Sequence, residues 1–556
     1  MLSRARAIDI LTQERFDVVV IGGGITGAGV ALDAASRGYS VALVEKADFA
    51  SGTSSRSSKL VHGGLRYLQQ FDLGLVREAL LERQLMVKLA PHLVTPLEMV
   101  VPAFGGGRPD RLVGIGLNMY DVMATPRLRG RRAARRAAEN GEGDWSPARH
   151  RLISGEEVVS LLPALTGREP TGGYLFYDCQ TDDVRLVLTV LGEAERFGAI
   201  CANRLEVVAV LADDGGGSGG VRVADAESGA KLVVRADNVV NATGVWADQI
   251  RPDELHSEAE LPTIVPSRGT HVTVSRDDLP LRAGAIVPAG NDRSIFALPW
   301  LGASLLGTTD STYDGDIDHV RPAAGDIDYL LEATNSFFGT SLGPGDLTGA
   351  YAGVRPLISS GDARRSVDIS RKAELYETSS GLITITGGKL TTWRRMAKLA
   401  VDRLVERDGR DAPCRTQEIP LGEPVDPDSL PRVSGVPEGS YAAMAARYGH
   451  AAHDLLELAG TRSELAAPIV DGHPDLLAEA PFSASREQAR TVGDVLLRRT
   501  RLGLVAARAI RASSGEVALR VAGAMSAELG WDDARVTVEA RRFDEEVRAE
   551  YVPGNG

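Results

Sequence analysis

The apolar positions near the N-terminus predict a strand, a glycine turn, a helix and a second strand. Residues 16–21 (FDVVVI) form a short β-branched run of the kind found in buried strands. Residues 27–37 then carry alanine and other apolar residues at helical spacing, Gly38 ends this helix, and residues 39–45 (YSVALVE) form a second apolar run. The pattern therefore predicts a β-turn-α-β unit at the start of the chain.

Further along, the pattern predicts a sheet-based region followed by helices. Residues 73–90 favour a helix, and residues 237–244 (DNVVNATG) favour a strand that ends in a sharp turn. Residues 381–405 favour a strand, a double glycine and a helix. Residues 260–350 mix strands with turns, whereas a proline-rich linker at 413–437 leads into helical patterns. We therefore expect a mixed α/β region followed by a helical one.

Composition and charge exclude several classes of protein. The chain has 556 residues, of which 43% are hydrophobic and 25% charged, so it can bury a sizeable core. A net charge of −13 argues against nucleic-acid binding. Cys179, Cys201 and Cys414 form no C-x-x-C pair and the histidines lack metal-site spacing, so we expect no disulfide framework, no metal and a reducing cytoplasm. The charged N-terminus and short apolar runs predict neither a signal peptide nor a transmembrane helix.

The first glycine turn carries a nucleotide-binding motif. Gly22, Gly24 and Gly27 spell G-x-G-x-x-G between the first strand and its helix. The first glycine allows the turn, the second lets a pyrophosphate approach the backbone, and the third lets the helix pack against the strand. Phosphate charge then lies at a helix N-terminus, where it is favoured. Glu45 follows about 20 residues later, where an acid binds ribose hydroxyls, which favours NAD or FAD over NADP.

Two later glycine turns favour FAD over NAD. Gly244 ends the motif Asn-Ala-Thr-Gly, and Gly387 and Gly388 follow another predicted strand. An extended FAD molecule needs several backbone approaches from distant parts of a chain. The helix after Gly388 could direct its N-terminus to the flavin pyrimidine and stabilise the negative charge of the reduced ring. We therefore predict FAD as the cofactor.

Five strings occur in order along most of the chain: TSSRSSKLVHGGLRYL (53–68), GTTD (307–310), YAGVRPL (351–357), GGKLTTW (387–393) and DVLLRRTRLG (494–503). Together they resemble the signature of FAD-dependent glycerol-3-phosphate dehydrogenases. The resemblance implies an α/β protein with a Rossmann-like FAD-binding domain, a β-sheet substrate-binding domain and a helical C-terminal domain. The expected boundaries are an FAD-dependent oxidoreductase region at 1–410, with FAD-binding parts at about 14–100, 180–250 and 350–410 and a substrate-binding sheet at about 255–350, and a C-terminal helical domain at 411–556.

The resemblance also implies a reaction. It is the oxidation of sn-glycerol 3-phosphate to dihydroxyacetone phosphate, with hydride transfer to flavin N5 and electrons passed to a membrane quinone. A peripheral contact with the cytoplasmic face of the cell membrane and a homodimer fit this activity. Two alternatives stay open, a glycerol-3-phosphate oxidase that uses oxygen and a non-catalytic flavin-binding sensor.

Two arginine-rich stretches bear on the membrane contact. The run between Arg127 and Arg136 could lie on anionic lipid, although a solvated loop is the slightly favoured interpretation. The helix around Arg498, Arg499, Arg501 and Arg508 has apolar residues on all sides, which favours packing inside its own domain over lying on a membrane.

The expected site residues follow from the substrate and the family pattern. A phosphate suits the bidentate fork of arginine. Matching the family's positions gives substrate-binding roles to Arg66, Tyr67, Arg371 and Asp310. It gives catalytic roles to His271, Arg355 and Lys389, with neutral His271 as the base because an imidazole titrates near neutral pH. Core packing or surface ion pairs are the alternatives for each. The expected cofactor-binding residues are Gly22, Gly24, Gly27, Glu45, Thr53, Ser54, Ser58, His62, Gly244, Gly387 and Gly388.

Overall fold

The computed structural model describes residues 1–65, 72–105, 110–124, 148–212, 218–250, 263–290, 293–359 and 373–551. The described strands are β1 Arg15–Ile21, β2 Val41–Val44, β3 Leu60–Val61, β4 Thr95–Ala103, β5 Arg151–Ser154, β6 Gly172–Gln180, β7 Ile200–Ala202, β8 Leu205–Ala212, β9 Ser218–Asp225, β10 Lys231–Asn241, β11 Thr263–Ser275, β12 Gly284–Pro288, β13 Ser294–Trp300, β14 Ala303–Gly307, β15 Ser311–Thr312, β16 Leu347–Ser359, β17 Ala373–Glu377 and β18 Ile383–Gly387.

The described α-helices are α1 Arg4–Gln13, α2 Ile25–Ser36, α3 Leu73–Leu89, α4 Arg111–Ala124, α5 Gly155–Leu161, α6 Asp183–Arg196, α7 Ala324–Phe338, α8 Trp393–Asp408, α9 Glu438–Tyr448, α10 Ala452–Thr461, α11 Glu479–Arg486, α12 Leu502–Val505, α13 Ala507–Ala512, α14 Glu516–Leu529 and α15 Asp533–Glu550. None of them is long and apolar enough to span a bilayer.

The first sheet contains the predicted β-turn-α-β unit. Its main path runs β17-β18-β10-β1-β2-β7, and β1 pairs in parallel with both β2 and β10. β1 and β2 are almost wholly buried apolar runs, as expected for parallel strands covered on both faces. α2 packs between α6 and α8. The carboxyl ends of β1, β10 and β18 therefore lie next to one another, which brings the three glycine turns together.

The second sheet is larger than the sequence predicts. Its path runs β15-β11-β14-β13-β12-β4-β6-β3, with β16 paired to β11 and β5 paired to β6. Four of these strands precede residue 255, and most of β16 lies beyond 350, so the sheet recruits segments that the sequence analysis assigned to FAD-binding parts or to neither domain. Local periodicity identifies a strand but does not identify its partner, which explains the difference. The domain boundaries themselves stay predictions.

Helices follow the two sheets, as the sequence predicts. The packing of the C-terminal region includes a π-helical turn, Asp494–Arg499, between α11 and α12. Arg498, Arg499 and Arg501 are buried there, which confirms that this basic stretch packs inside the protein. Arg508 is exposed. The other basic stretch, Arg127–Arg136, lies outside the described residues.

Candidate active site

The first glycine turn has the geometry that a dinucleotide needs. Gly22 adopts φ +108°, and a Cβ there would lie 2.8 Å from the carbonyl oxygen of Ala242. Gly24 is the N-cap of α2. A Cβ on Gly27 would lie 1.9 Å from the carbonyl oxygen of Gly22, so only glycine lets α2 approach the turn. A glycine turn at a helix start of this kind fits the pyrophosphate of FAD, because the N-terminus of a helix favours phosphate.

Glu45 lies beside this turn, at the end of β2. Its Oε2 accepts from the backbone N–H of Gly23 at 2.6 Å, and its Oε1 accepts from that of Ala47 at 2.9 Å. Burial raises the pKa of the Glu45 carboxyl above its ordinary value. Glu45 therefore lies beside the glycine turn, as the sequence predicts. Its hydrogen bond to a ribose hydroxyl stays a prediction.

The segment that follows β2 joins the two sheets. Thr53 Oγ1 donates to the carbonyl oxygen of Val354 in β16 at 2.6 Å. Ser54 Oγ accepts from the backbone N–H of Ile25 at the start of α2, at 3.0 Å. Ser58 Oγ lies 2.8 Å from Nε2 of His271. Thr53 and Ser54 therefore lie beside the turn and β16, whereas Ser58, predicted as a cofactor residue, contacts the predicted base.

His271 is a buried histidine in β11, with only 2% of its surface exposed. Its ring stacks on that of Tyr351 in β16, with 4.9 Å between centroids and 13° between planes. A Cβ at Gly307 would lie 2.2 Å from Cδ2 of His271, so glycine at this position makes room for the ring. Burial lowers the pKa of His271 well below its ordinary value, and the charges of Lys59 and Arg355 act in the same direction. The imidazole is therefore neutral near pH 7.

Arg355 is held by the GTTD loop. Its guanidinium donates to Thr308 Oγ1 at 2.9 Å and to the carbonyl oxygen of Thr309 at 3.3 Å, and it lies 3.6 Å from Asp310 Oδ1. Asp310 also accepts a hydrogen bond from Ser267 of β11. The side chain of Arg355 keeps 27% of its surface exposed, so an anion can still reach it. Asp310 therefore orients the arginine.

Lys389 and His62 lie near each other, close to the double-glycine turn. Gly387 and Gly388 both adopt positive φ, +78° and +68°, in the turn that precedes Lys389. The backbone N–H of His62 donates to Thr391 Oγ1 at 3.1 Å. Burial lowers the pKa of His62, and the nearby Lys389 ammonium acts in the same direction. The double-glycine turn and the 53–62 segment are thus neighbours.

The remaining expected residues divide into two groups. Gly244 adopts φ +61° and ends the turn after β10. Arg66, Tyr67 and Arg371 lie outside the described residues, so their substrate-binding roles stay predictions.

Two residues of the cluster were missed by the sequence analysis. Lys59 is fully buried, with Nζ 4.8 Å from the centroid of the Tyr351 ring, and Tyr351 itself supports the imidazole of His271. Both lie inside strings that carry the family resemblance, TSSRSSKL and YAGVRPL. Their place inside these strings was the signal that could have identified them. A lysine or a tyrosine does not reveal its role until the residues that it contacts are known.

Comparisons with known proteins agree with this geometry. The family model described as FAD dependent oxidoreductase matches residues 17–403, and the model for the C-terminal domain of alpha-glycerophosphate oxidase matches residues 383–536. Glycerol-3-phosphate dehydrogenase 2 of Mycobacterium tuberculosis is 37% identical, covering 99% of this chain and 91% of its own length. Aerobic glycerol-3-phosphate dehydrogenase of Bacillus subtilis is 35% identical, covering 90% of this chain and 89% of its own.

A solved structure agrees as well. The crystal structure of glycerol-3-phosphate dehydrogenase from Bacillus halodurans complexed with FAD has a TM-score of 0.76 and 29% identity, and covers 98% of this chain and 97% of that one. The matches confirm the predicted architecture and FAD as the cofactor. On these grounds the chain belongs to the FAD dependent oxidoreductases and, within them, to the FAD-dependent glycerol-3-phosphate dehydrogenase family.

Proposed function

We propose that this chain oxidises sn-glycerol 3-phosphate to dihydroxyacetone phosphate. The observation that supports this most directly is the placement of His271 and Arg355 on neighbouring antiparallel strands. His271 lies opposite Tyr351, and Ser267 lies opposite Arg355 in the register of β11 and β16. Ser267 and His271 are four residues apart on β11 and therefore share one face of the sheet. Arg355 lies directly opposite Ser267 and shares that face, so the base and the cation face the same space.

The proposed chemistry divides between these two side chains. FAD, when bound, supplies the acceptor for the hydride that leaves C2. Neutral His271 takes the proton of the C2 hydroxyl, and its Nδ1 has no hydrogen-bond partner among the described residues. Arg355 stabilises the negative charge that develops on the oxygen, because a guanidinium donates hydrogen bonds without losing its proton. The carbon loses a hydride and the oxygen a proton, which leaves the ketone.

The phosphate of the substrate needs cations that the catalytic pair does not supply. We propose Arg66 and Arg371 for this role, with Tyr67 as a further donor, and Lys389 as a further cation beside the catalytic pair. Arginine forks pair with phosphate oxygens in a bidentate manner, and a lysine adds a point charge. Names of the relatives support a phosphorylated substrate, since each of the two above is a glycerol-3-phosphate dehydrogenase.

The cofactor site gives the first test. We expect the purified protein to release FAD on denaturation, and Gly27→Ala to contain little FAD, because the new methyl group would overlap the Gly22 carbonyl and displace α2 from the turn. Gly192→Ala in α6 is the control, since a Cβ there meets nothing within 4 Å. Chromatography of the released cofactor measures both. Release of FMN from the parent, or full FAD content in Gly27→Ala, would contradict the proposed site.

We also propose a membrane quinone as the electron acceptor and a peripheral contact with an anionic bilayer through α4, on the cytoplasmic side. Three side chains on one face of α4 are largely exposed: Leu112 75%, Ile115 57% and Val122 66%. Positions spaced by three, four or seven residues share one helix face. The opposite face packs into the protein and holds α4 in place, so the outward face presents an exposed apolar patch, which is typical of a contact surface.

The charges on and after α4 also favour contact with an anionic bilayer. Arg111 is exposed at the start of α4, whereas Asp121, the single acidic residue of this helix, lies 2.6 Å from His150. The sequence after the helix carries the arginines between Arg127 and Arg136. Attraction of basic residues to anionic lipid contributes about 1 kcal/mol per residue near the surface. A homodimer stays a prediction.

A vesicle assay tests this contact. The double variant Ile115→Ser, Val122→Ser should co-sediment less with phosphatidylglycerol vesicles than the parent, because both changes remove apolar area from the exposed face. Leu519→Ser is the control, since Leu519 is also exposed but lies on α14. Equal sedimentation of all three proteins would assign the membrane contact to another surface.

The electron acceptor needs a separate test. Peroxide formed in step with turnover would favour oxygen over quinone as the acceptor.

A further inference from the structure

A chain of buried charges connects the C-terminal helices to the segment that carries Ser58. The guanidinium of Arg501 contacts Asp183 at the start of α6, and Asp183 Oδ2 lies 2.7 Å from Lys59 Nζ. The side chains of all three residues are at most 1% exposed. Arg501 therefore reaches the 53–62 segment through Asp183, and its guanidinium also pairs with Asp182 at 3.1 Å and donates to the carbonyl oxygen of Ser55 at 3.5 Å.

The Asp183 carboxylate contacts the residues on both sides of Ser58, Ser57 and Lys59. Asp183 Oδ2 accepts from Ser57 Oγ at 2.7 Å and from the Ser57 backbone N–H at 3.2 Å. Lys59 Nζ in turn donates to the carbonyl oxygen of Ser55 at 2.6 Å. Residues 55–59 are thus tied to α6 rather than only to their own neighbours.

The same five residues hold His271. Ser58 Oγ contacts Nε2 of the imidazole, and Tyr351, whose ring stacks on His271, donates through its hydroxyl to the carbonyl oxygen of Ser57 at 2.8 Å. A displacement of residues 55–59 would therefore move both of the groups that hold the ring.

Stability alone does not explain such a cluster. Taking charges out of water costs several kcal/mol per ion, so a buried ion pair often stabilises a fold no better than apolar residues of the same size. Its advantage is that it accepts a single geometry. A cluster of this kind next to His271 is therefore suited to holding the imidazole in one position.

We propose that Arg501 is a positioning residue for the dehydrogenation: through Asp183 and Lys59 it holds residues 55–59 so that Ser58 and Tyr351 keep His271 in place. This assigns to the C-terminal helices a part in the reaction, although Arg501 contacts neither substrate nor cofactor in the proposal. The inference rests on the proposed function.

The test compares two neighbouring arginines in the full-length, FAD-loaded protein. Arg501→Met removes the ion pairs with Asp183 and Asp182 and the direct contact with the Ser55 carbonyl oxygen. Arg499→Met is the matched control, because Arg499 is equally buried and also contacts an N-terminal carboxylate, Asp48, at 2.7 Å, but not residues 55–59. Anaerobic stopped-flow mixing with glycerol 3-phosphate gives the limiting rate of flavin reduction and the apparent substrate Kd separately.

We expect Arg501→Met to lower the limiting rate roughly 10- to 100-fold with little change in the apparent Kd or in FAD content, since misplacement of a reacting group by about 1 Å costs this much. Arg499→Met should lower the melting temperature but keep the rate close to that of the parent. An Arg501→Met rate equal to that of the parent, or equal losses of rate in the two variants, would overturn the proposal.

A milder variant covers the case in which Arg501→Met does not fold. Ser57→Ala removes the hydrogen bond from Ser57 Oγ to Asp183 and the one that Ser57 Oγ accepts from the Lys59 backbone N–H, and it leaves every charge in place. It should lower the limiting rate without lowering substrate affinity, and a parent-like rate would count against the proposal. If glycerol 3-phosphate fails to reduce the flavin of the parent protein, the proposed function fails instead, which separates the two results.

Discussion

His271→Asn should slow flavin reduction by glycerol 3-phosphate about 10²- to 10⁴-fold, the usual cost of removing a general base. Asparagine keeps a similar shape and can still hydrogen-bond Ser58, but it cannot accept a proton. FAD content and the apparent substrate Kd should change little, because the phosphate-binding residues are intact. Anaerobic stopped-flow measurements on parent and variant give the rate and the Kd.

The pH dependence provides a second criterion for the same variant. The pKa of His271 is depressed, so the neutral form persists below the ordinary histidine pKa of about 6.5. The parent rate should therefore stay high as the pH falls through that value and decline only at lower pH, where His271 takes up a proton. His271→Asn should lack this decline. His450→Asn, on the exposed surface of the C-terminal helices, is the control.

A His271→Asn protein with the parent rate and the parent pH profile would assign the base elsewhere. His62 is then the next candidate, because it is partly buried near Lys389 and also has a depressed pKa.

Arg355→Ala should lower the limiting rate of flavin reduction about 10²- to 10³-fold, comparable to the loss of one oxyanion donor in other enzymes. The change removes the cation and leaves Asp310 beside the site without its arginine partner. Arg355→Lys should recover part of the rate, since it restores the charge but not the planar fork. Rates and FAD content are measured as for His271→Asn.

Arg268→Ala is the matched control for this change. Arg268 lies on the adjacent strand β11, and its guanidinium lies 3.3 Å from Asp326 instead of Asp310. If Arg268→Ala and Arg355→Ala lose the same amount of activity, the loss reflects a disturbed sheet and not the missing cation.

The glycine turns were predictable because their causes are local. A buried strand, three glycines at fixed spacing and a helix specify Gly22, Gly24 and Gly27 within one short stretch. The helix boundary was predicted less well. α2 begins at Ile25, directly after its N-cap, whereas apolar spacing placed its start at residue 27. The cap is set by backbone geometry, which the apolar pattern does not record.

The environment of His271 was not predictable in the same way. Its ring depends on Ser58, which is 213 residues away, and on Tyr351 across a strand pair. Arg501 was recognised as part of a basic stretch, but its carboxylate partner is 318 residues away in the sequence. Ion pairs of this range follow from the fold, so a local pattern can identify the charge but not what it contacts.

The most direct test of the central claim is the absorption spectrum of the purified protein under anaerobic conditions, before and after addition of glycerol 3-phosphate. We expect a spectrum of oxidised flavin that is lost on addition of the substrate, with dihydroxyacetone phosphate formed in an amount equal to the flavin. A flavin spectrum that glycerol 3-phosphate leaves unchanged would contradict it.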